Sequence, residues 1–325
     1  MTSTGAIVVS EIGGPEVLQW SEREVGVPAA GEVLVRNEAV GLNFLDVYFR
    51  TGLYPATPPF VPGHEGAGVV EAVGPEVTEF TPGDRVAYVD PMGAYAERLL
   101  RPADRLVRLP DGVSAKQAAG MMLKGLTAEY LLRRTHRVES GEAILVHAAA
   151  GGVGQILCQW ASHLGATVIG TVGSDAKREL ADQAGCKHVV VTSSEDFAER
   201  VRSITGGEGV SVVYDGVGAD TFMGSLDCLA PLGLMVAFGN ASGPVPPFNT
   251  LLLAAKGSLF LTRPSLAAYV RTPALLTQSA EALFEAVSSG AVEVHIGQEY
   301  ALRDAAQAHR DLEARKLTGS TILIP

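Results

Sequence analysis

A glycine-rich segment between an apolar stretch and a helical one constrains the fold more than any other feature of the sequence. Residues 143–147 form an apolar run typical of a buried strand, and residues 148–154, AAAGGVG, follow it directly. In dinucleotide-binding folds, glycines at this point let the backbone approach a pyrophosphate and let the next helix pack on the sheet. Ala149 replaces the first glycine of that pattern, while Gly151 and Gly154 keep its spacing. The motif alone is weakly specific, since a tight turn without a ligand gives the same pattern.

The alternation around this segment indicates a parallel sheet. Strands are predicted at residues 143–147, 167–172, 188–191, 210–214, 234–238 and 258–261, with helical stretches between most of them. Such alternation is typical of a doubly wound sheet. The first 115 residues are instead rich in Val, Gly and Pro and predict a β-rich domain. Helices at 273–289 and 303–315 and an apolar run at 320–324 are expected to pack back onto that domain.

Composition excludes several classes of protein. The 325 residues are 47% hydrophobic and 19% charged, which argues against disorder. The net charge of −11 and the lack of clustered Lys and Arg argue against a nucleic-acid partner. We predict neither a targeting segment nor a membrane span, and therefore a cytoplasmic protein. The three cysteines lack CxxC spacing and are interpreted as buried apolar side chains.

The tip of the second predicted strand bears on the choice of cofactor. An NAD site usually places Asp or Glu there, but this tip is Val172, Gly173 and Ser174. Asp175 lies past the strand and is interpreted as a helix cap. A hydroxyl followed by Lys177 and Arg178 suits a 2′-phosphate, although two cations here also fit a solvated helix face.

Several longer motifs carry a resemblance that covers essentially the whole chain. They are GLNFLDVY at 41–48, RTGLYP at 50–55, LKGLTA at 123–128, residues 147–154, VYD at 213–215, FGN at 238–240, TRPS at 262–265 and residues 319–325. In these motifs the chain resembles the NADPH-dependent quinone oxidoreductases related to zeta-crystallin. Those proteins are zinc-free members of the medium-chain dehydrogenase/reductase superfamily.

The resemblance implies an α/β protein with two domains. A GroES-like β-barrel catalytic domain would comprise residues 1–125 and 263–325, and a doubly wound six-stranded Rossmann domain residues 126–262. Hydride would pass from NADPH to a quinone bound in the cleft between them. The implied substrate pocket, in which no residue is an essential acid, consists of Asn43, Asp46, Tyr48, Tyr54 and Arg263. The implied NADPH contacts are Asn43, Lys124, Thr127, Tyr130, Gly151, Gly152, Val153, Gly173, Ser174, Lys177, Thr192, Val217, Phe238, Gly239, Asn240 and Arg315.

Four of these implied residues have a qualification. Thr192 stands where close relatives have a tyrosine that covers the 2′-phosphate. Tyr48, Tyr54 and Tyr130 have the alternative interpretation of buried core aromatics whose hydroxyl groups are satisfied elsewhere. The strength of the preference for NADPH over NADH therefore stays open.

The motif GHEGAG at residues 63–68 raises the question of a metal. In zinc alcohol dehydrogenases of the superfamily it supplies a metal-binding histidine, here His64. The positions that resemble the cysteine ligands hold Asn43 and Lys124, and no cysteine precedes Cys158. We therefore predict no metal and a hydrogen-bonded His64.

Without a metal to polarise a carbonyl, the acceptor must be easily reduced, and a quinone meets that requirement. Tyr48 and Tyr54 are expected to stack on the quinone or to donate hydrogen bonds to it, and Asn43 to hold the nicotinamide ribose. Two alternatives remain: an NADPH-dependent reductase of activated C=C bonds, and a non-catalytic NADPH-binding structural or sensor protein. The apolar stretch 251–261 and the resemblance predict a homodimer. The physiological acceptor and the number of electrons passed per step stay open.

Overall fold

The computed structural model describes residues 2–325, which divide into two compact units. The first unit comprises residues 2–124, 270–284 and 294–325, and the second comprises 125–269 and 285–293. Gly125 and residues 263–269 and 285–293 thus group with the second unit, whereas the predicted division assigned them to the first domain. The domain boundaries themselves stay a prediction.

The described residues contain fifteen strands, ten α-helices and several short helical turns. The strands are β1 (Thr2–Val9), β2 (Leu18–Val25), β3 (Glu32–Gly41), β4 (Glu65–Val73), β5 (Arg85–Val89), β6 (Arg98–Pro102), β7 (Leu106–Arg108), β8 (Ala143–Val146), β9 (Thr167–Val172), β10 (His188–Val191), β11 (Val210–Asp215), β12 (Leu229–Ala237), β13 (Phe260–Thr262), β14 (Ile296–Ala301) and β15 (Ser320–Ile324). The α-helices are α1 (Phe44–Arg50), α2 (Ala115–Tyr130), α3 (Gly152–His163), α4 (Arg178–Gln183), α5 (Phe197–Ile204), α6 (Phe222–Cys228), α7 (Leu251–Ala255), α8 (Leu266–Tyr269), α9 (Pro273–Ser288) and α10 (Ala305–Glu313). Short 3-10 turns cover Pro15–Val17, Ala103–Arg105, Asp175–Lys177 and Leu302–Asp304, and a π-helical turn covers Leu131–Thr135.

The second unit is built on a parallel sheet. Among residues 2–325 its six strands lie in the order β10-β9-β8-β11-β12-β13, and every neighbouring pair is parallel. The chain starts at the centre with β8, moves outward through β9 and β10, and then crosses to β11 on the other side. This confirms the predicted doubly wound sheet, whose strand order reverses between β8 and β11.

The last strand of this sheet begins two residues later than predicted. Gly257 and Ser258 have φ angles of 117° and 56°, so the backbone turns through the left-handed region before β13 starts at Phe260. Strand β12 begins at Leu229, directly after α6 and five residues before the predicted start, and carries a register shift against β11. Alternation alone does not reveal such irregularities.

The first unit is built on mainly antiparallel strands. Its larger sheet has the strand order β14-β15-β3-β4-β5-β7, and β6 pairs with the first half of β3. All neighbouring pairs are antiparallel except β14 with β15. The C-terminal strand β15 pairs with β3, which confirms that the predicted apolar run at 320–324 packs back onto the first part of the chain. Strands β1 and β2 form a separate hairpin.

Each unit has its own apolar core. In the first, side chains of β3, β4 and β5 pack with Phe60, Tyr95, Leu302 and Leu323. In the second, Leu145, Ile169 and Val213 of the central strands pack with Phe222 and Leu226 of α6. Cys158, Cys186 and Cys228 are buried and unpaired by disulfides, as predicted. Within the described residues, every helix is too short or too polar to traverse a bilayer.

Candidate cofactor and substrate site

Most of the predicted cofactor residues of the second unit follow the carboxyl ends of its strands. Because neighbouring strands are parallel, these ends meet at one edge of the sheet, and in doubly wound folds ligands bind where the strand order reverses, here between β8 and β11. Gly151, Gly152 and Val153 follow β8; Gly173, Ser174 and Lys177 follow β9; Thr192 follows β10; Val217 follows β11; Phe238, Gly239 and Asn240 follow β12. The structure brings these residues to the same edge, and their contacts with a cofactor stay a prediction.

The glycine loop is shaped for a close approach of backbone to backbone. Ala148 adopts a φ of 53°, and the Gly151 N–H donates to its carbonyl oxygen at 2.9 Å. Helix α3 begins at Gly152, so its first N–H groups and the positive end of its dipole lie at this loop. A Cβ on Gly154 would overlap the Ala148 carbonyl oxygen. The loop therefore fits a pyrophosphate, and Gly154 is required for the packing of α3.

The tip of β9 lacks a carboxylate on the strand itself. Gly173 is exposed, and a Cβ at its position would meet no atom within 4 Å. Ser174 precedes the turn Asp175–Lys177, and Asp175 pairs with Arg178 at 3.1 Å. Arg178 also donates to the Val189 carbonyl at 3.0 Å, so its guanidinium is held against β10. Of the two predicted cations, Arg178 is thus held against the neighbouring strand by these bonds.

Thr192 lies one strand away from this tip. Its hydroxyl donates to the Val172 carbonyl at 3.3 Å, and its N–H donates to the same oxygen at 2.9 Å. The side chain is exposed but directed back to the end of β9. The Thr192 hydroxyl is thus bonded to the backbone at the end of the neighbouring strand.

The loop after β11 is held by the buried carboxylate of Asp215, a residue of the VYD motif to which the sequence assigns no role. Asp215 accepts hydrogen bonds from the N–H groups of Val217 at 2.8 Å and Gly218 at 3.0 Å. It also accepts from the hydroxyl groups of Thr221 and Ser225. Asp215 thereby fixes the backbone of the loop that carries the predicted contact Val217.

Three further predicted residues of the second unit have partners within it. Tyr130 is 2% exposed and stacks on Tyr269 with ring centroids 4.2 Å apart, and burial raises the pKa of its phenol. Thr127 is buried and hydrogen-bonded to Tyr130. Arg263 donates to the Ala237 carbonyl at 2.7 Å. The position of Tyr130 agrees with both of its interpretations, because a buried ring can still present one edge to a ligand.

The predicted pocket residues of the first unit surround helix α1. Asn43 is the N-cap of α1, and its N–H donates to Asp46 Oδ2 at 2.9 Å. Asp46 is fully buried and lies 2.6 Å from His64 Nδ1, so the predicted hydrogen-bonded His64 is confirmed. Tyr48 is buried and meets Tyr54 edge to face, with centroids 5.3 Å apart.

Lys124 forms a buried ion pair at the position where a zinc ligand would lie in the metal-binding relatives. Its Nζ is 2.6 Å from Glu65 Oε1, which also accepts from Asn43 Nδ2 at 2.8 Å. The other oxygen of Glu65 accepts the Leu123 N–H at 2.7 Å. An ammonium bonded in this way does not fit a zinc site. It donates hydrogen bonds but has no free electron pair for a metal, and its positive charge repels a cation. Among residues 2–325, no three His, Cys, Asp or Glu side chains are grouped so as to hold a metal.

A second set of buried residues around Asp46 has no signal in the sequence. Tyr95 donates to Asp46 and contacts His309, which contacts Arg50, which pairs with Glu313. Their sequence separation hides them, since no local spacing joins residues 50, 95 and 309. Arg315, a predicted cofactor contact, is exposed just after α10 with a φ of 58°. It belongs to the first unit, unlike the residues at the sheet edge.

A unit of antiparallel strands with a buried polar cluster, together with a six-stranded doubly wound sheet, defines a medium-chain dehydrogenase/reductase. Comparisons with known proteins agree. Residues 29–140 match the alcohol dehydrogenase GroES-like domain, and residues 152–270 match the zinc-binding dehydrogenase family. The chain belongs to the quinone oxidoreductase family of this superfamily.

Three relatives illustrate the similarity. A quinone oxidoreductase of Pseudomonas aeruginosa is 53% identical over 96% of this chain and 97% of its own length. A 2-haloacrylate reductase of a Burkholderia species is 47% identical over 98% of each chain. The crystal structure of Escherichia coli quinone oxidoreductase complexed with NADPH covers 99% of this chain and 100% of its own, with 48% identity and a TM-score of 0.97.

Proposed function

We propose that this chain is an NADPH-dependent quinone oxidoreductase. The observation that carries the proposal is the edge of the parallel sheet, where the glycine loop meets a β9 tip that holds Gly173 in place of a carboxylate. A carboxylate there would repel a 2′-phosphate, whereas Ser174 and Lys177 suit it. The quinone oxidoreductases at about half identity, one of them solved with NADPH, support the same cofactor and acceptor.

The residues of the site have separate tasks in this proposal. When bound, NADPH supplies a hydride to the acceptor. The first N–H groups of α3 bind the pyrophosphate, and Ser174 and Lys177 bind the 2′-phosphate. Asp215 holds the loop of Val217 in place. Asn43 orients the nicotinamide ribose, and the aromatic pair of Tyr48 and Tyr54 orients the ring of the quinone. Because hydride addition gives a stabilised aromatic hydroquinone anion, which takes its proton from water, positioning suffices and no side chain is an essential acid.

We also propose that turnover is independent of metal. The support is the buried Lys124–Glu65 pair, which places a positively charged ammonium at the position of a zinc ligand. The enzyme treated with a chelator and passed through a desalting column is expected to keep its activity, and added zinc is expected not to raise it. Loss of activity on chelation with recovery on zinc addition would overturn this mechanism.

An alternative acceptor is an activated C=C bond, which the similarity to a 2-haloacrylate reductase favours. A panel of simple quinones, enones and 2-haloacrylate, followed by loss of NADPH absorbance, ranks the two. Highest kcat/KM on a quinone is the expected result. Highest kcat/KM on the acrylate would replace the proposed function with the alternative, and binding of NADPH without any turnover would favour a structural or sensor protein.

A homodimer and a cytoplasmic location belong to the same proposal. At the edge strand β13, Phe260 is 60% exposed and Leu261 38%, and Leu251 of the preceding helix is 71% exposed. An apolar edge of this kind pairs readily with a second copy. Light scattering at micromolar concentration is expected to give a dimer mass, and Phe260→Glu a monomer mass. The three buried thiols, which form no disulfide, suit a reducing compartment.

A further inference from the structure

A chain of buried hydrogen bonds in the first unit joins the surface of α10 to His64. Glu313 accepts two bonds from Arg50, at 2.9 and 2.8 Å. Arg50 Nη1 lies 3.0 Å from His309 Nδ1, and His309 Nε2 lies 3.1 Å from the Tyr95 hydroxyl. That hydroxyl lies 3.1 Å from Asp46 Oδ2, and Asp46 Oδ1 lies 2.6 Å from His64 Nδ1.

The guanidinium of Arg50 fixes the direction of every hydrogen bond between it and Asp46. A guanidinium has only donors, so His309 Nδ1 must accept from Arg50 and the proton of the neutral ring must lie on Nε2. That N–H then donates to the Tyr95 oxygen. The tyrosine proton in turn points to the carboxylate of Asp46.

Asp46 is left as an acceptor on both oxygens. Its Oδ2 receives the Tyr95 hydroxyl and the Asn43 N–H, and its Oδ1 therefore receives a proton held on His64 Nδ1. The other ring nitrogen of His64, Nε2, lies 4.0 Å from Asp90 Oδ1.

Burial makes this arrangement rigid. Arg50 is 1% exposed, and Asp46, Tyr95 and His309 are fully buried. Burial lowers the pKa of His309 to about 3, which keeps the ring neutral, and raises the pKa of the Tyr95 hydroxyl. In such a site an unmatched donor or acceptor is costly, so each proton has one favoured place.

We propose that Arg50, His309 and Tyr95 are positioning residues that keep both oxygens of Asp46 as hydrogen-bond acceptors and thereby hold a proton on Nδ1 of His64. The inference rests on the proposed function only for its consequence in turnover. Helix α1 carries Asp46 and Tyr48, so weakening this series of hydrogen bonds should disturb the positioning of the acceptor more than that of NADPH.

The first test is nitrogen NMR of the ring nitrogens in the wild-type holoenzyme, assigned by comparison with the variants His64→Gln and His309→Gln. The expected spectrum shows neutral His309 with its proton on Nε2, and His64 protonated on Nδ1. A His309 ring that is charged, or protonated on Nδ1, would overturn the inference. This measurement needs no turnover, so it can fail or succeed independently of the proposed function. The proposed function would fail if the wild-type enzyme were inactive on every quinone.

The second test uses substitutions with a built-in rescue. His309→Gln keeps an oxygen to accept from Arg50 and an N–H to donate to Tyr95, whereas His309→Leu removes both. His309→Leu and Tyr95→Phe are expected to shift the His64 signals and to lower kcat/KM for the quinone about fivefold, because each breaks two of the hydrogen bonds that hold Asp46 in place. His309→Gln is expected to restore most of both. Unchanged His64 signals in a folded Tyr95→Phe variant would overturn the inference.

Discussion

The buried polar cluster of the first unit and the glycine loops of the second are specified in opposite ways. Around Asp46 and Glu65, charged side chains are removed from water and each is matched by a named partner. At the sheet edge, the structure instead depends on glycines that have no Cβ, since Gly154 and Gly239 leave room for backbone carbonyls. The first region is therefore destabilised when one charge loses its partner, and the second when a Cβ is added to a glycine.

The largest expected effect is in the polar cluster. Glu65→Gln removes the charge that matches Lys124 and should lower the free energy of unfolding by about 3–5 kcal/mol, because a buried ammonium is left unpaired. Urea denaturation measures this. The double variant Glu65→Gln with Lys124→Met should recover much of the loss, since no lone charge remains.

The matched control is an exposed pair. Lys116 and Glu299 lie 2.6 Å apart with 52% and 43% of their side chains exposed. Glu299→Gln should change the free energy of unfolding by less than about 1 kcal/mol. A loss at Glu299 equal to that at Glu65 would show that burial does not set the cost.

The sequence predicted this cluster only in part. Asn43, Asp46 and Lys124 were placed by resemblance to a family, and His64 by a motif. Arg50, Tyr95 and His309 could not be placed, because their contacts exist only after α1, the segment before β6 and α10 pack together. A buried charge has no local pattern that marks its partner.

The second prediction tests added atoms at the glycine loops. Gly154→Ala should lower the free energy of unfolding by about 1–3 kcal/mol, because the new Cβ overlaps the Ala148 carbonyl. Gly173→Ala meets nothing within 4 Å and should leave stability within about 0.5 kcal/mol while raising KM for NADPH. Thermal unfolding and steady-state kinetics separate the two. Equal destabilisation by both substitutions would contradict the packing argument.

The second region was largely predictable from sequence. Strand and helix alternation fixes the parallel order, and parallel order places the residues after β8, β9, β11 and β12 at one edge. What alternation misses is the support beneath the loops: Asp215 stood out only as part of the VYD motif, and its bonds to Val217 and Gly218 depend on how β11 ends.

The third prediction returns to the polar cluster through pH. Burial lowers the pKa of His309 to about 3, so between that value and 6.5 the unfolded chain binds a proton that the folded protein does not. Stability from this residue is complete above about pH 6.5 and is lost as the pH falls toward 3, by at most about 1.4 kcal/mol per pH unit. His309→Gln should flatten the dependence of unfolding free energy on pH between 4 and 6. An unchanged slope would mean that His309 is protonated in the folded protein.

The smallest expected effect lies at the tip of β9, where solvent screens charge. Lys177→Glu should raise KM for NADPH on the order of tenfold with little change for NADH, because a hydrogen bond to a charged group contributes roughly 1.5 to 3 kcal/mol before screening. Thr192→Tyr should sharpen the preference, since an aromatic ring can cover the phosphate where the threonine hydroxyl only meets the Val172 carbonyl. Lys187→Glu is the matched control, because this exposed lysine precedes β10 and lies at the opposite edge of the sheet. If Lys187→Glu and Lys177→Glu weaken NADPH equally, the effect is one of net charge and Lys177 makes no specific contact.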